Sequence, residues 1–306
     1  MLANIGAIVV TFNRLEKLKK ALKSYEEQTL LPKYILVVDN ASTDGTREYL
    51  ECWKNMNSKY EKIVVYLKEN KGGAGGFYEG QKTATKKDAD WIMLADDDLY
   101  FEKDYFLGIS NFIKTINPNE YSIICGKILE HGKIGVGHRS IKNKWIYPFH
   151  KDITEKDFNN KENILCDFVS FCGIAINKQK LLEAGFVNKD YFIRYDDYEQ
   201  VCRLRVIGKI ICLTNLRANH DTEEVKNIST WKVYYDYRNR INLIKKHFKF
   251  RFPIISFYLI IKSLMFIFIK GRNLENVSMR LNAIKDGIFN NMGLHPIYRP
   301  GWKLKQ

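Results

Sequence analysis

The sequence has 306 residues, 45% of them hydrophobic, enough for one large α/β domain with an appendage or two modest domains, and this excludes a disordered chain. Its formal net charge is +14, concentrated in residues 226–306, where 16 Lys and Arg face only Asp236, Glu275 and Asp286. A basic tail with no nucleic-acid motif beside it argues against nucleic acid and for anionic lipid or a polyphosphate ligand.

The opening MLANIGAIVVTFN lacks the basic region and the small-residue cleavage site of a signal peptide, and its β-branched run predicts a first strand over 6–11. Leu15, Leu18, Leu22 and Tyr25 recur at helical spacing, and an apolar run over 34–39 predicts a second strand. A helix over 46–55, a strand over 62–67, a helix over 76–87 and a strand over 90–95 follow. This alternation implies a parallel sheet with helices on both faces. Beyond Asp98 the pattern loosens into a strand over 123–129, a polar loop around 151–163, a buried stretch over 168–176 and a helix over 178–184. The segment FIRYDDYE then leads into a helix ending near Val206, and a strand beginning at Ile210 ends near His220. The remainder reads as helical, basic and aromatic. The cysteines (Cys52, Cys125, Cys166, Cys172, Cys202 and Cys212) are scattered without a CxxC pair, as free thiols are in a reducing compartment.

In such sheets ligands bind beyond the carboxyl ends of the strands. Four polar clusters fall there: Thr11-Phe12-Asn13-Arg14, the Asp39–Thr46 turn, Asn70-Lys71-Gly72-Gly73-Ala74-Gly75-Gly76, and Asp96-Asp97-Asp98. Three consecutive aspartates repel one another unless a cation neutralises them, and all-oxygen ligation suits Mg²⁺ or Mn²⁺ shared with the phosphates of a nucleotide. The Asp39 segment alone reads equally as a turn with a helix N-cap, and the glycine run alone as a flexible loop. Together with the aspartates they describe a pocket for a nucleoside diphosphate. Asp196, Asp197 and Glu199 put three carboxylates within four residues, more than the capping of one helix explains.

In this order, TFNR, VVDNASTDGT, NKGGAGGF, ADDD and a DDYE followed by Arg203 and Arg205 resemble the family 2 glycosyltransferases over residues 4–220, and among them the bacterial galactofuranosyltransferases. The resemblance implies a GT-A fold, Rossmann-like with a mostly parallel sheet, over residues 1–225, and a helical basic region over 226–306. It implies that Asp39 pairs with uracil and that Thr11 and Arg14 surround the base. Asn70, Gly72, Gly73 and Asp97 would hold nucleotide and sugar, and Asp96, Asp98 and His220 would hold Mn²⁺ or Mg²⁺. Asp197 falls at the position of the general base and Asp196 at an acceptor contact. The implied reaction is inverting transfer of galactofuranose from UDP-galactofuranose to a polyprenyl-diphosphate-linked glycan, as in capsule or O-antigen synthesis.

Rhamnosyl transfer from dTDP-rhamnose is the alternative donor chemistry. A nucleotidyltransferase would want a Gly-rich loop with a basic residue directly after the first strand, which TFNRLEK is not, and a sugar-nucleotide or lectin-like binding module is the non-catalytic alternative. The QxxRW signature of processive synthases is absent. The apolar stretch over 254–269 reaches about 24 Å as a helix, short of the roughly 30 Å hydrocarbon core. With Lys245, Lys246, Lys249, Arg251, Lys270 and Arg272 around it, it predicts a helix at an anionic membrane surface, against a buried core helix as the plain alternative. That gives a peripheral protein at the cytoplasmic face of the plasma membrane, whose tail also offers a contact for a homo-oligomer.

Overall fold

The computed structural model describes residues 2–143, 150–222, 230–269 and 274–304, with the backbone alone for 266–269. The first half runs β1 (Ile5–Thr11), α1 (Leu15–Glu26), β2 (Tyr34–Asp39), α2 (Thr46–Asn55), β3 (Glu61–Tyr66), α3 (Gly72–Ala84) and β4 (Trp91–Asp96). A short β5 (Leu99–Phe101) and α4 (Tyr105–Thr115) lead to β6 (Tyr121–Glu130), β7 (Lys133–Ile134), β8 (Arg139–Lys142), β9 (His150–Asp152), α5 (Glu155–Asn160) and β10 (Asn163–Cys166). Then come β11 (Phe168–Val169), β12 (Ile174–Asn177), α6 (Lys178–Ala184), α7 (Asp196–Ile207), β13 (Lys209–His220), α8 (Thr230–His247), α9 (Phe252–Ile269) and α10 (Leu274–Phe289).

Among the described residues the main sheet is ordered β10-β13-β6-β12-β4-β1-β2-β3, with β5 on β13 and β7 on β6. Strands β3, β2, β1 and β4 pair in parallel, as continuous apolar runs covered on both faces do, while β12 lies antiparallel between β4 and β6. Two apolar clusters fill the two faces of this sheet. A small second sheet, β11-β8-β9, covers one flank of the strand ends.

Two expectations shift. The stretch over 168–176 divides into β11 and β12, which belong to different sheets. The third helix begins at Gly72 rather than Gly76, so the glycine run is its first turn. Glycine disfavours helices, but here tertiary contact decides: a Cβ on Gly76 would meet Val10 Cγ1 at 2.5 Å, so only glycine lets α3 lie this close to β1.

The C-terminal helices pack on the front of the chain through a third core, in which Tyr234, Tyr235, Ile241, Leu259 and Ile284 meet Phe168, Phe192 and Cys202. Helix α9 buries Ile255 and Leu259 and leaves Ile254, Phe257, Tyr258, Ile261, Leu264 and Met265 exposed. No described helix is long and apolar enough to cross a membrane. The expected boundary at 225/226, with Lys270 and Arg272, lies outside the described residues.

Candidate active site

Strand register assembles the acidic centre. β13 shifts register against β6 between Leu213 and Arg217, and its far end pairs with β5, setting His220 opposite Leu99 and therefore beside Asp98. The same strand end runs beside the end of β6, which carries Glu130. His220 Nε2 lies 3.3 Å from Asp98 Oδ1, and His220 Nδ1 lies 3.0 Å from Glu130 Oε1. That oxygen also faces His138 Nε2 at 3.0 Å, and His138 Nδ1 lies 2.8 Å from Ser170 Oγ. On the other side, Thr11 Oγ1 donates to Asp97 Oδ2 (2.7 Å), and an Arg14 guanidinium nitrogen donates to Asp98 Oδ2 (2.7 Å) and to Asp97 Oδ1 (3.3 Å).

The buried Oδ1 of Asp98 accepts no hydrogen bond, which is costly for a carboxylate oxygen unless a cation meets it. If His220 donates its Nδ1 proton to Glu130, its Nε2 lone pair faces that oxygen, and two lone pairs at 3.3 Å need a positive charge between them. Without a metal, protonation of His220 supplies it: burial lowers the imidazole, but Asp98 and Glu130 outweigh burial and raise it above its ordinary value. Burial, then Asp98 and Asp97, lifts Asp96 to about 7, and burial lifts Asp97 to about 6 against the pull of Arg14 and Thr11. For Asp98 burial is outweighed by His220 and then Arg14, which hold it below the usual range. Asp98 and His220 lie close enough to share a divalent cation such as Mn²⁺, with Asp96 as a further oxygen donor near both. Among the described residues, His138, Cys172 and His220 bring three ligand atoms within 4.8 Å of one another. Burial keeps the Cys172 thiol well above its ordinary range, so this trio is the poorer site for a hard cation.

A cleft of about 250 Å³ opens next to the aspartates, and Thr11, Arg14, Asn70, Gly72, Gly73 and Asp97 all stand in its wall. Asp39 is at the end of β2, where its Oδ1 accepts the Ser42 amide (3.0 Å), and the next residue, Asn40, lines the cleft. Asn40 ties two loops together: its amide donates to Asn70 Oδ1 (3.1 Å) and Gly72 O (2.9 Å), and its Oδ1 accepts from the Lys71 amide (2.9 Å). The first turn of α3 contributes Gly72 and Gly73 to this wall, with the Gly72 amide donating to Asn70 Oδ1 (2.8 Å). Trp231, Lys232 and Pro300 also line it, although no sequence motif marks them.

Asp196 and Asp197 begin α7 and line an adjoining cavity of about 570 Å³ together with Glu130, His138 and His220. The loop that carries them is strained. Phe192 (φ 64°, ψ −60°) is the centre of a γ-turn of the rare positive-φ kind, closed by the Ile193 amide donating to Tyr191 O (2.8 Å), and Arg194 and Tyr195 have φ of 71° and 60°. Buried groups on α8 hold this loop. Asn239 Nδ2 donates to Tyr191 O (2.9 Å), Ile193 O (2.8 Å) and Arg194 O (2.8 Å), and Arg238 donates to Asp190 O (3.3 Å) and Tyr191 O (3.1 Å). The front half holds it too: the Ala74 amide donates to Phe192 O (3.1 Å), and a Cβ on Gly72, whose φ is 71°, would lie 2.0 Å from that carbonyl.

Burial raises both carboxylates. Asp197, which also feels Arg194 and accepts the Tyr198 amide, reaches about 6, while Asp196, pushed further by Asp197, goes well above its ordinary value. Glu199, the last acid of DDYE, is structural: burial is outweighed by His247 and Arg203, which hold it at about 2, and Arg203 Nη2 donates to Phe186 O (2.9 Å) behind α6.

A model of the domain described as glycosyl transferase family 2 matches residues 7–183. The galactofuranosyltransferase GlfT1 of Mycobacterium tuberculosis is 38% identical over 100 residues, 32% of this chain and 31% of that protein. The GlfT1 of Mycolicibacterium smegmatis is 40% identical over 94 residues, 31% of this chain and 30% of that protein, so the chain spans under a third of the length of these relatives. Residues 1–349 of S. aureus TarS, solved with UDP-GlcNAc, superpose with a TM-score of 0.62 at 17% identity, covering 93% of this chain and 80% of that one. GalNAc-T7 with UDP, GalNAc and Mn²⁺ superposes with a TM-score of 0.63 at 13% identity, covering 94% and 56%. At such identities the solved structures speak for the fold, which is the GT-A fold. With its family model matched across more than half the chain, this protein belongs to glycosyl transferase family 2 and is a glycosyltransferase.

Proposed function

We propose that the enzyme is an inverting, metal-dependent transferase that moves galactofuranose from UDP-galactofuranose to a polyprenyl-diphosphate-linked glycan at the cytoplasmic face of a membrane. The observation that carries this reading is the adjacency of two cavities, one beside Asp96–Asp98 and one beside Asp196 and Asp197, which share Ile193 and Lys232 in their walls. The likeness to two GlfT1 proteins supports the donor sugar.

Asp96, Asp98 and His220 would hold Mn²⁺ or Mg²⁺, which when bound supplies positive charge against the departing diphosphate. Thr11 and Arg14 keep Asp97 and one edge of Asp98 oriented. Asp197 accepts the proton of the acceptor hydroxyl as that oxygen attacks the anomeric carbon from the face opposite the leaving group. Asp196 contacts the acceptor sugar, and Tyr195 and Tyr198 beside it offer ring faces.

The membrane reading now rests on one face of α9. Ile254, Phe257, Tyr258, Ile261 and Leu264 make an exposed apolar stripe at helical spacing, and residues 237–274 contain nine Lys and Arg and no acid. Of the cations expected to serve it, Lys245 donates to Ile288 O (2.6 Å) and Arg251 to Asn143 O (3.0 Å), so these two also support packing. Lys249 and Lys262 are exposed.

The deciding experiment measures UDP release from UDP-galactofuranose with and without a lipid-linked acceptor, with UDP-galactose and dTDP-rhamnose as competing donors. Acceptor-dependent release from UDP-galactofuranose above the other two is expected. Preference for dTDP-rhamnose would overturn the donor assignment, and binding without turnover would make the protein a binding module.

A further inference from the structure

Lys232 stands in the first turn of α8, outside every motif that marks the site, yet it lines both the donor cleft and the acceptor cavity. Its neighbour Trp231 fixes its position. The indole packs against Tyr235 (ring centroids 5.9 Å apart) and Phe192 (6.4 Å), and Lys232 Nζ lies 5.6 Å from the indole centroid. Among the described residues no carboxylate forms an ion pair with Lys232. Withdrawal from solvent lowers its pKa, and the charges that act on it, Arg194 and then Arg14, are both repulsive.

A partly buried ammonium beside two guanidinium groups is unfavourable unless an anion of more than one charge completes the arrangement. Arg14 is already committed to Asp97 and Asp98, and Arg194 is exposed at the end of the strained loop. The unmet positive charge thus falls where the two cavities adjoin, between the base-bearing loop and the aspartates.

We propose that Lys232, with Arg194, binds the diphosphate of the sugar nucleotide on the side away from Asp96 and Asp98, so that the C-terminal region supplies part of the leaving-group site. This rests on the sugar-nucleotide reading above. In the transfer step the anomeric carbon–oxygen bond breaks with its electron pair passing to the phosphate oxygen, and the ammonium stabilises that charge while keeping all its protons. A charge-assisted contact of this kind contributes about tenfold to a hundredfold in affinity.

The test is calorimetric titration of the full chain, with Mn²⁺ present, with UDP, UMP and uridine. Lys232→Met keeps the apolar stem over Trp231, so it should bind uridine as the wild type does, bind UDP at least tenfold more weakly, and show a smaller loss for UMP. Lys232→Arg should recover most of the UDP affinity. UDP binding within twofold of wild type in Lys232→Met overturns the proposal, as does equal loss of uridine and UDP binding, which would mark Lys232 as part of the fold. If Lys232→Met does not fold by its melting curve, Lys232→Gln carries the same comparison. Failure of the wild type to bind UDP at all overturns the UDP-sugar reading itself, which separates the two failures.

Discussion

Replacing Asn239 with Leu tests how the catalytic loop is held. The side-chain amide donates to three carbonyls of residues 191–194, and its own oxygen accepts from Arg238 Nε (2.9 Å). In the leucine variant Tyr191 O keeps its bond from Arg238, but Ile193 O, Arg194 O and the Arg238 Nε–H lose these partners. Each buried group left unmet costs about 1–3 kcal/mol. Against this, relaxing the positive-φ conformations of Phe192, Arg194 and Tyr195 releases about 1–2 kcal/mol per residue. The two sums are comparable, so the loop should abandon its native path rather than keep unmet carbonyls, and the net loss of global stability should stay near 2–3 kcal/mol. Asp197 moves with the loop, so kcat should fall by one to two orders of magnitude while the KM for the donor changes little. Asn239→Asp keeps the shape but offers only acceptors to those carbonyls, so it should behave at least as badly. Urea unfolding and steady-state kinetics on both variants check this, and wild-type kcat with an unmoved midpoint in both would refute the clamp.

Asp98→Ala should abolish turnover and Mn²⁺ binding by calorimetry, since it removes the orphaned Oδ1; full turnover of this variant in EDTA would rule the metal out. Asp197 titrates near 6 in the fold against 3.8 ordinarily, so kcat should fall as pH drops below about 6, and Asp197→Asn should bind UDP while losing transfer at every pH. A raised carboxylate pKa gives stability that is complete below the unfolded value and lost as pH rises through the folded one, so Asp197→Asn should gain in melting temperature over the wild type at pH 8 more than at pH 5; the opposite order contradicts the raised value. Phe257→Ser with Ile261→Ser, at positions 67% and 40% exposed, should weaken sedimentation with 30% phosphatidylglycerol vesicles about tenfold and leave turnover on a short soluble acceptor unchanged. A wild-type protein that ignores such vesicles at low salt would show that α9 serves another contact.

The donor half was legible because each of its signals is local. Apolar runs marked β1, β2 and β4, and the clusters at their ends cannot be mistaken for ordinary turns once seen together. The start of α3 was not legible, since glycine's poor helix propensity is overruled by Val10 and Phe192, which are distant in sequence. Glu130 and His138 sit alone on unremarkable segments, and only the paired ends of β6 and β13 bring Glu130 to His220. Lys232 was hidden among the cations of the tail, and nothing in a basic helix says which of them lacks an acid beside it among the described residues. The sequence of α9, apolar but for Ser256, Lys262 and Ser263, gave too little period to tell its packed face from its exposed one.

Gly72 joins two duties that are usually discussed apart. Its backbone helps open the helix that faces the nucleotide, and the absence of a side chain there lets the Phe192 carbonyl lean on that same helix. The cleft beside the aspartates and the loop before Asp197 are therefore parts of one mechanical body rather than two sites that happen to adjoin. A nucleotide that steadies the first turn of α3 also steadies the loop before Asp197, and the free energy of that steadying is available to an acceptor that arrives afterwards. On the proposed reading, donor before acceptor is the order that a missing methyl group would favour.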